Sequence, residues 1–188
     1  MRLGILGGTF NPVHIGHLIL AEEVREKLKL DRVIFVPTYI PPHKTSRHIA
    51  PAKDRYAMIR AAIRTNPFFE VSDIEIRRKG ASYTIDTLRE FKRLFPGDEM
   101  YFITGSDLLN YLDKWRDLKN VIELVKFVVA TRPGYPLEKI PAYIKTVAIR
   151  AVDVSAYEIR HCVKKRLSFR YLVPDPVFEY ITRKRLYR

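Results

Sequence analysis

Short apolar runs alternate with segments of helical period from one end of the chain to the other, and no other feature restricts the fold as much. Residues 3–6 (LGIL) are apolar without polar alternation, the pattern of a strand buried on both faces of a sheet. After the Gly7-Gly8 break, residues 15–28 place Ala21, Val24 and Leu28 on one helix face. Glu22, Glu23, Arg25 and Lys27 are expected outward, with Glu23 paired to Lys27 one turn on. Residues 32–37 (RVIFVP) give a second strand. Pro37, Pro41 and Pro42 then make the stretch up to Pro51 a loop, because proline fixes φ and removes a backbone donor. Pro51 opens a second helix with Tyr56, Ile59 and Ile63 along one side. Residues 68–71 and 73–77 read as short strands, 82–95 as a helix stopped by Pro96-Gly97, and 100–104 (MYFIT) as a further buried strand. Helical material over 108–124, strands over 127–131 and 146–149, and terminal helices over 157–167 and 174–184 complete the pattern. This order predicts an α/β fold, a doubly wound parallel sheet with helices on both faces and a short helical C-terminal part. A chain of 188 residues is expected to close one core, giving a single domain over 1–188 with about 153–188 as a helical subdomain.

In such sheets ligands bind beyond the carboxyl ends of the strands, and the segment at that position here is Gly7-Gly8-Thr9-Phe10-Asn11-Pro12-Val13-His14-Ile15-Gly16-His17. It is neither of the common phosphate loops: no Lys-Ser/Thr pair follows its last glycine, and Gly4, Gly7 and Gly8 lack the two-and-three spacing of the dinucleotide fingerprint. In their place stand two histidines. Side chains three apart at the start of a helix share a face, and the helix end adds N–H groups and the positive pole of the macrodipole, so the pair suits a polyphosphate. Gly16 between them would let a nucleotide approach the backbone closely. A metal site would need a third ligand, and no nearby Cys, Asp or Glu is spaced to supply one, so no protein-held metal is expected. Taken alone, two histidines in a first helical turn also fit an ordinary helix cap.

The segment GGTFNPVHIGHL resembles the phosphate-binding segment of the nucleotidylyltransferase superfamily, with His14-Ile15-Gly16-His17 matching its H-x-G-H letter for letter. Over essentially its whole length the chain is similar to the bacterial nicotinate-nucleotide adenylyltransferases, through Pro41-Pro42-His43-Lys44, Ser82-Tyr83-Thr84 with Asp86-Thr87-Leu88, Gly105-Ser106-Asp107, Leu112 to Trp115, ATRPG over 130–134, and Val154 to Arg160. The resemblance implies a Rossmann-like sheet. It also implies transfer of the adenylyl group of ATP to nicotinic acid mononucleotide, forming nicotinic acid adenine dinucleotide and pyrophosphate in NAD biosynthesis. It assigns catalytic roles to His14, His17, Lys44 and Arg160. ATP binding falls to Gly7, Gly8, Thr9, Phe10, Gly16, Gly105, Asp107 and Ser155. The mononucleotide falls to His43, Lys44, Ser82, Tyr83, Thr84 and Trp115, whose indole is expected to stack on the pyridine ring. Mg²⁺ is expected on the ATP phosphates. The late phosphate segment of the family reads I-S-S-T-x-I-R, whereas this chain has Val154-Ser155-Ala156-Tyr157-Glu158-Ile159-Arg160 and so lacks two of its hydroxyls. Asn11 stands where many relatives carry Asp.

The formal net charge of +13 concentrates anions of any kind around the protein. Between Arg160 and Arg188 nine Lys and Arg face two acids, so the excess gathers at the C-terminal end. Three alternatives follow: an adenylyltransferase acting on pantetheine phosphate, one preferring nicotinamide mononucleotide, or a basic nucleic-acid-binding domain, whose affinity would fall steeply with salt and which would not need both histidines. The favoured partners are ATP and nicotinic acid mononucleotide, with no nucleic acid and no membrane. The oligomeric state is left open, a homo-oligomer included. Cys162, the single cysteine, excludes an internal disulfide. No run approaches the roughly 18 apolar residues of a membrane span, and the opening residues lack a secretory layout, so a cytoplasmic protein is expected.

Overall fold

The computed structural model describes residues 1–42, 49–106, 109, 112, 114–131, 140–150 and 152–188. Six strands, β1 (Arg2–Gly8), β2 (Arg32–Pro37), β3 (Phe69–Val71), β4 (Glu99–Gly105), β5 (Lys126–Thr131) and β6 (Ile144–Ala148), form one sheet in the order β3-β2-β1-β4-β5-β6. Every pairing is parallel, from Leu3 opposite Arg32 on one side of β1 to Arg2 opposite Glu99 on the other. Consecutive strands run outward from β1 in one direction and then from β4 in the other. The strand order therefore reverses between β1 and β4, and the crevice at their carboxyl ends is where a doubly wound sheet takes its ligand.

The helices are α1 (Ile15–Leu28), α2 (Ala52–Ile63), α3 (Ile74–Arg78), α4 (Thr84–Leu94), α5 (Leu118–Leu124), α6 (Ala156–Lys164) and α7 (Asp175–Lys184). Alternate strand residues face opposite layers. Leu6, Val33, Phe35, Tyr101, Ile103 and Val128 pack under α1, α2, α6 and α7 through Val24, Leu28, Met58, Ile59, Ile159, Val177 and Ile181. Ile5, Ile34, Val36, Phe102, Phe127 and Val129 pack on the other face against α3, α4 and α5 through Ile74, Ile85, Leu88, Phe91 and Val121. Each such side chain, fully buried, stabilises the fold by about 1.5–3 kcal/mol. Gly4 is required where β1 is tightest: a Cβ there would lie 2.8 Å from Ile103 Cδ1 and 2.9 Å from Leu30 Cδ1.

Four sequence expectations are corrected. Residues expected as a strand over 73–77 instead form α3, closed by an Asp73–Arg77 ion pair of 2.9 Å. Its Ile74 and Glu75 turn inward under the start of α4, and the D-I-E-I-R alternation is too short to outweigh that burial. The helical material expected over 108–124 is not one continuous helix: among the described residues, 109, 112 and 114 are in 3₁₀ conformation and α5 begins only after Asp117, which sits in the left-handed region at φ 59° and breaks the run. On α2 the buried side runs through Arg55, Met58, Ile59 and Ile63 rather than through Tyr56. On α1 the Glu23–Lys27 pair forms at 3.2 Å, but Glu23 is buried and not outward. Its carboxylate accepts hydrogen bonds from Arg150 Nε at 2.6 Å and from the Arg150 backbone N–H at 3.2 Å, and the guanidinium holds the Glu23 carboxyl below the usual carboxylate range.

Candidate active site

β1 ends on Gly8, and residues 9–14 carry the chain from the sheet into α1. Phe10 takes a left-handed backbone at φ 48°, unusual without glycine, and is held there by burial of its ring. That ring lies 5.8 Å from Phe35 and edge-on to His17 at 5.0 Å. It also explains Gly8, where a Cβ would come within 3.0 Å of the Phe10 ring. His14 is the extended N-cap of α1 and is buried. Its backbone N–H donates to His17 Nδ1 at 3.2 Å, and the two imidazoles pack against each other with centroids 3.7 Å apart and planes tilted by 37°. His17 thus takes the part that Glu or Gln plays three residues after an N-cap. A nitrogen that accepts a hydrogen bond carries no proton, so the neutral His17 ring has its proton on Nε2, where it is a potential donor. The space beside Gly16 has a local occupant: a Cβ would lie 3.1 Å from His14 Nδ1, so this glycine admits the neighbouring imidazole.

Chain ends from far along the sequence close round this turn. Asn11 Oδ1 accepts from the Ala50 N–H at 2.9 Å, a bond that an Asp would accept equally. Arg160 donates from Nη1 to the Asn11 carbonyl at 2.7 Å and to Ala156 at 2.8 Å. Ser155 caps α6, its Oγ accepting from the Glu158 N–H at 3.1 Å. The preceding Val154 carbonyl lies 3.8 Å from where a Gly16 Cβ would stand, so the starts of α1 and α6 abut. Two positive helix ends, two imidazoles and one guanidinium are thus gathered around this turn. Tyr157, in place of the family threonine, is 71% exposed and stacks on His161.

A second cluster lies at the start of α4. Tyr83 is its N-cap and Thr84 its first residue, while Ser82 faces inward, its Oγ accepting from the Tyr39 N–H at 2.8 Å and its own N–H donating to Ile40 at 2.9 Å. Arg116 lies over the Tyr83 ring at 4.8 Å, which brings the Trp115 segment to the Ser82-Tyr83-Thr84 segment. Trp115 is half-buried against Phe102 at 5.5 Å and Phe127 at 5.6 Å. Gly105 closes β4, and Gly7 packs beside Phe102 in β1. His43, Lys44 and Asp107 lie outside the described residues.

The cytidylyltransferase-like family matches residues 5–162. A Thermus thermophilus protein described as "probable nicotinate-nucleotide adenylyltransferase" is 45% identical over 188 residues, covering all of both chains. A Desulfitobacterium hafniense protein with the same description is 44% identical, covering all of this chain and 96% of its own. The chain belongs to the nicotinate-nucleotide adenylyltransferase family. The family fold extends to a solved Plasmodium falciparum nicotinic acid mononucleotide adenylyltransferase complexed with NaAD, which superposes with a TM-score of 0.81 at 19% identity, over 99% of this chain and 97% of that one.

Two residues of this family member were not singled out in the sequence. Arg55 is fully buried and donates to four carbonyls: Thr9 at 2.7 Å, Thr38 at 2.6 Å, Tyr39 at 3.2 Å and Ala50 at 2.9 Å. Burial lowers its pKa. Glu75 is buried beside the Ser82 and Thr87 hydroxyls, with Thr87 Oγ1 donating at 2.6 Å, and burial pushes its carboxyl up against their pull. The available signal for Arg55 was its place three and four residues before Met58 and Ile59, on the apolar face of α2. Among the described residues no group of three or more His, Cys, Asp or Glu side chains is placed to hold a metal ion. Nor is any described helix long and apolar enough to cross a membrane.

Proposed function

We propose that this protein transfers the adenylyl group of ATP to nicotinic acid mononucleotide, releasing pyrophosphate and forming nicotinic acid adenine dinucleotide. The observation that carries the reading is the closely packed His14–His17 pair at the start of α1, set beyond the carboxyl end of β1 where the strand order reverses. The attacking group is the mononucleotide phosphate, already ionised at neutral pH, so no protein nucleophile is required. One of its oxygens forms a bond to the α-phosphorus of ATP as the bond to the β-phosphate oxygen breaks. The protein has to align two anions and offset charge moving onto the departing pyrophosphate.

His17 Nε2–H and His14 are assigned to that charge, with the N–H groups of α1 and Arg160 beside them. Gly7, Gly8, Thr9, Phe10, Gly16 and Gly105 shape the ATP half, Ser155 contributes the start of α6, and Asp107 accepts from a ribose hydroxyl. Lys44, assisted by His43, pairs with phosphate from the loop after β2. Tyr83 and Thr84 offer the start of α4 to the nicotinate carboxylate, and Trp115 presents to the pyridine ring the part of its indole not packed on Phe102 and Phe127. Ser82 serves this half by shaping its backbone. A cationic donor set, with no carboxylate cluster among the described residues, fits Mg²⁺ that arrives on the triphosphate, held by phosphate oxygens and water, where it would neutralise charge between the phosphates. The +13 net charge raises the local concentration of both anionic substrates. The cytoplasm, where both nucleotides are made and used, is the proposed location.

Pyrophosphate release from ATP with each acceptor supplied separately tests the reading. Release is expected with nicotinic acid mononucleotide and to a much smaller extent with nicotinamide mononucleotide or pantetheine phosphate. Equal release with either of the latter overturns the acceptor, and release with none overturns the reaction.

A further inference from the structure

The two halves of the site rest on separate segments, the turn after β1 and the start of α4, and one partly buried chain of hydrogen bonds joins them. It begins at the Thr9 carbonyl, which accepts from Arg55 Nη1 at 2.7 Å. Arg55 Nη2 donates to the Thr38 carbonyl at 2.6 Å and the Tyr39 carbonyl at 3.2 Å, in the loop after β2. The Tyr39 N–H donates to Ser82 Oγ at 2.8 Å. Ser82 immediately precedes the Tyr83 N-cap of α4, and beside it the Glu75 carboxyl accepts from Thr87 Oγ1 at 2.6 Å within that helix. Arg55 and Ser82 are the two links whose loss opens the chain. Arg55 has no exposed surface and, among the described residues, no carboxylate at ion-pairing distance. Guanidinium has only donors, arranged in a rigid fork, and four fixed carbonyls from three stretches of chain match it where a lysine could reach one or two. Burying a cation this way is costly, and small hydrophobic residues would fill the core of α2 more cheaply.

We infer that Arg55 and Ser82 are positioning residues: together they fix the separation and orientation of the ATP turn and the mononucleotide turn, so that the acceptor phosphate meets the α-phosphorus in line. Neither touches a substrate, and the inference rests on the reaction proposed above. In-line transfer demands reacting atoms about 3–3.5 Å apart, and a misplacement of about 1 Å costs on the order of 10²-fold in rate. Each nucleotide alone still meets an intact half-site. The signature of lost registration is therefore a fall in kcat without a matching loss of either separate affinity.

The test uses the full chain with Arg55→Lys, Ser82→Ala, Ser82→Thr and the Arg55→Lys/Ser82→Ala double variant. Dissociation constants are measured by calorimetry for ATP alone and nicotinic acid mononucleotide alone, and kcat is measured on protein shown to be folded by its circular dichroism. Expected are kcat losses of about 10–100-fold for Arg55→Lys and Ser82→Ala, each separate Kd within about threefold of wild type, and recovery in Ser82→Thr, which restores the hydroxyl. If the two act through one chain, the double variant loses little more than the larger single loss. An unchanged kcat in Ser82→Ala, losses that simply multiply in the double variant, or Kd losses as large as the kcat loss would overturn the inference. Wild-type protein that binds neither nucleotide overturns the reaction itself and the inference with it.

Discussion

Replacing His17 separates two tasks that the structure gives one ring. Nδ1 accepts from the His14 N–H at 3.2 Å and so closes the first turn of α1, while Nε2–H is the donor assigned to the phosphates. In His17→Ala both are lost. The capping bond contributes about 1 kcal/mol to stability, so the melting midpoint should fall by roughly 2–4 °C for a chain of this size. Loss of one preorganised donor to charge that develops in the transition state costs about 3–4 kcal/mol, or on the order of 10²–10³ in kcat. Asn at 17 places Oδ1 where Nδ1 stood and leaves nothing at the Nε2 position; it should keep the melting midpoint near wild type and still lose most of the rate. Gln at 17 extends its amide nitrogen toward the Nε2 position and should recover part of the rate with a weaker cap. The assay is steady-state pyrophosphate release at saturating nicotinic acid mononucleotide with ATP varied, alongside thermal melts. A KM for ATP raised 10²-fold with kcat unchanged would show uniform binding in place of transition-state stabilisation. Equal damage to stability and rate in the Asn variant would reduce His17 to a cap. Either result refutes the assignment.

Gly16→Ala adds a Cβ at 3.1 Å from His14 Nδ1 in the first turn of a helix; stability should hold or rise by up to about 1 kcal/mol while kcat falls about tenfold, read by melting and pyrophosphate release on the same sample. Gly4→Ala must push aside Ile103 and Leu30 at 2.8 and 2.9 Å, and should destabilise by about 1–2 kcal/mol in urea denaturation with kcat per folded molecule unchanged. Glu99, bonded to Lys126 and Tyr101, has its carboxyl lowered to about 2, so its contribution to stability is present above the ordinary pKa of 4.5 and is lost as pH falls toward 2. Glu99→Gln should therefore lower the melting midpoint at pH 7 and narrow its gap from wild type between pH 5 and about pH 2, a modest effect because the pair is partly exposed; a gap independent of pH would contradict the pairing.

The apolar periods specified most of the framework. The bounds of α1 and β2 coincide with the expected 15–28 and 32–37, and α2 opens just after Pro51 as expected, because each is a strong local pattern with a glycine or proline at its edge. The histidine turn was equally legible, since motif, preceding strand and following helix are contiguous. What local pattern could not reveal was the direction of polar side chains whose partners lie far off in the chain. Glu23 read as an outward helix charge, and Arg150, 127 residues on, makes it a buried one. Ser82 read as a ligand contact, and its hydroxyl turns inward because Tyr39 and Glu75 stand beneath it. Arg55 was not singled out in the sequence, because the four carbonyls that define its role converge on it from three segments only in the fold.

Backbone preference and hydrophobic period act over a few residues, so the amino-acid order alone located the six strands of the sheet, most of the helices, the parallel α/β class and the phosphate-seeking turn, with only α3 misread as a strand. Burial of a charge or a hydroxyl is favourable only when distant groups arrive to complete its hydrogen bonds, and that is a property of packing. The register between the two halves of the site, and the residues that hold it, came into being only with the tertiary fold.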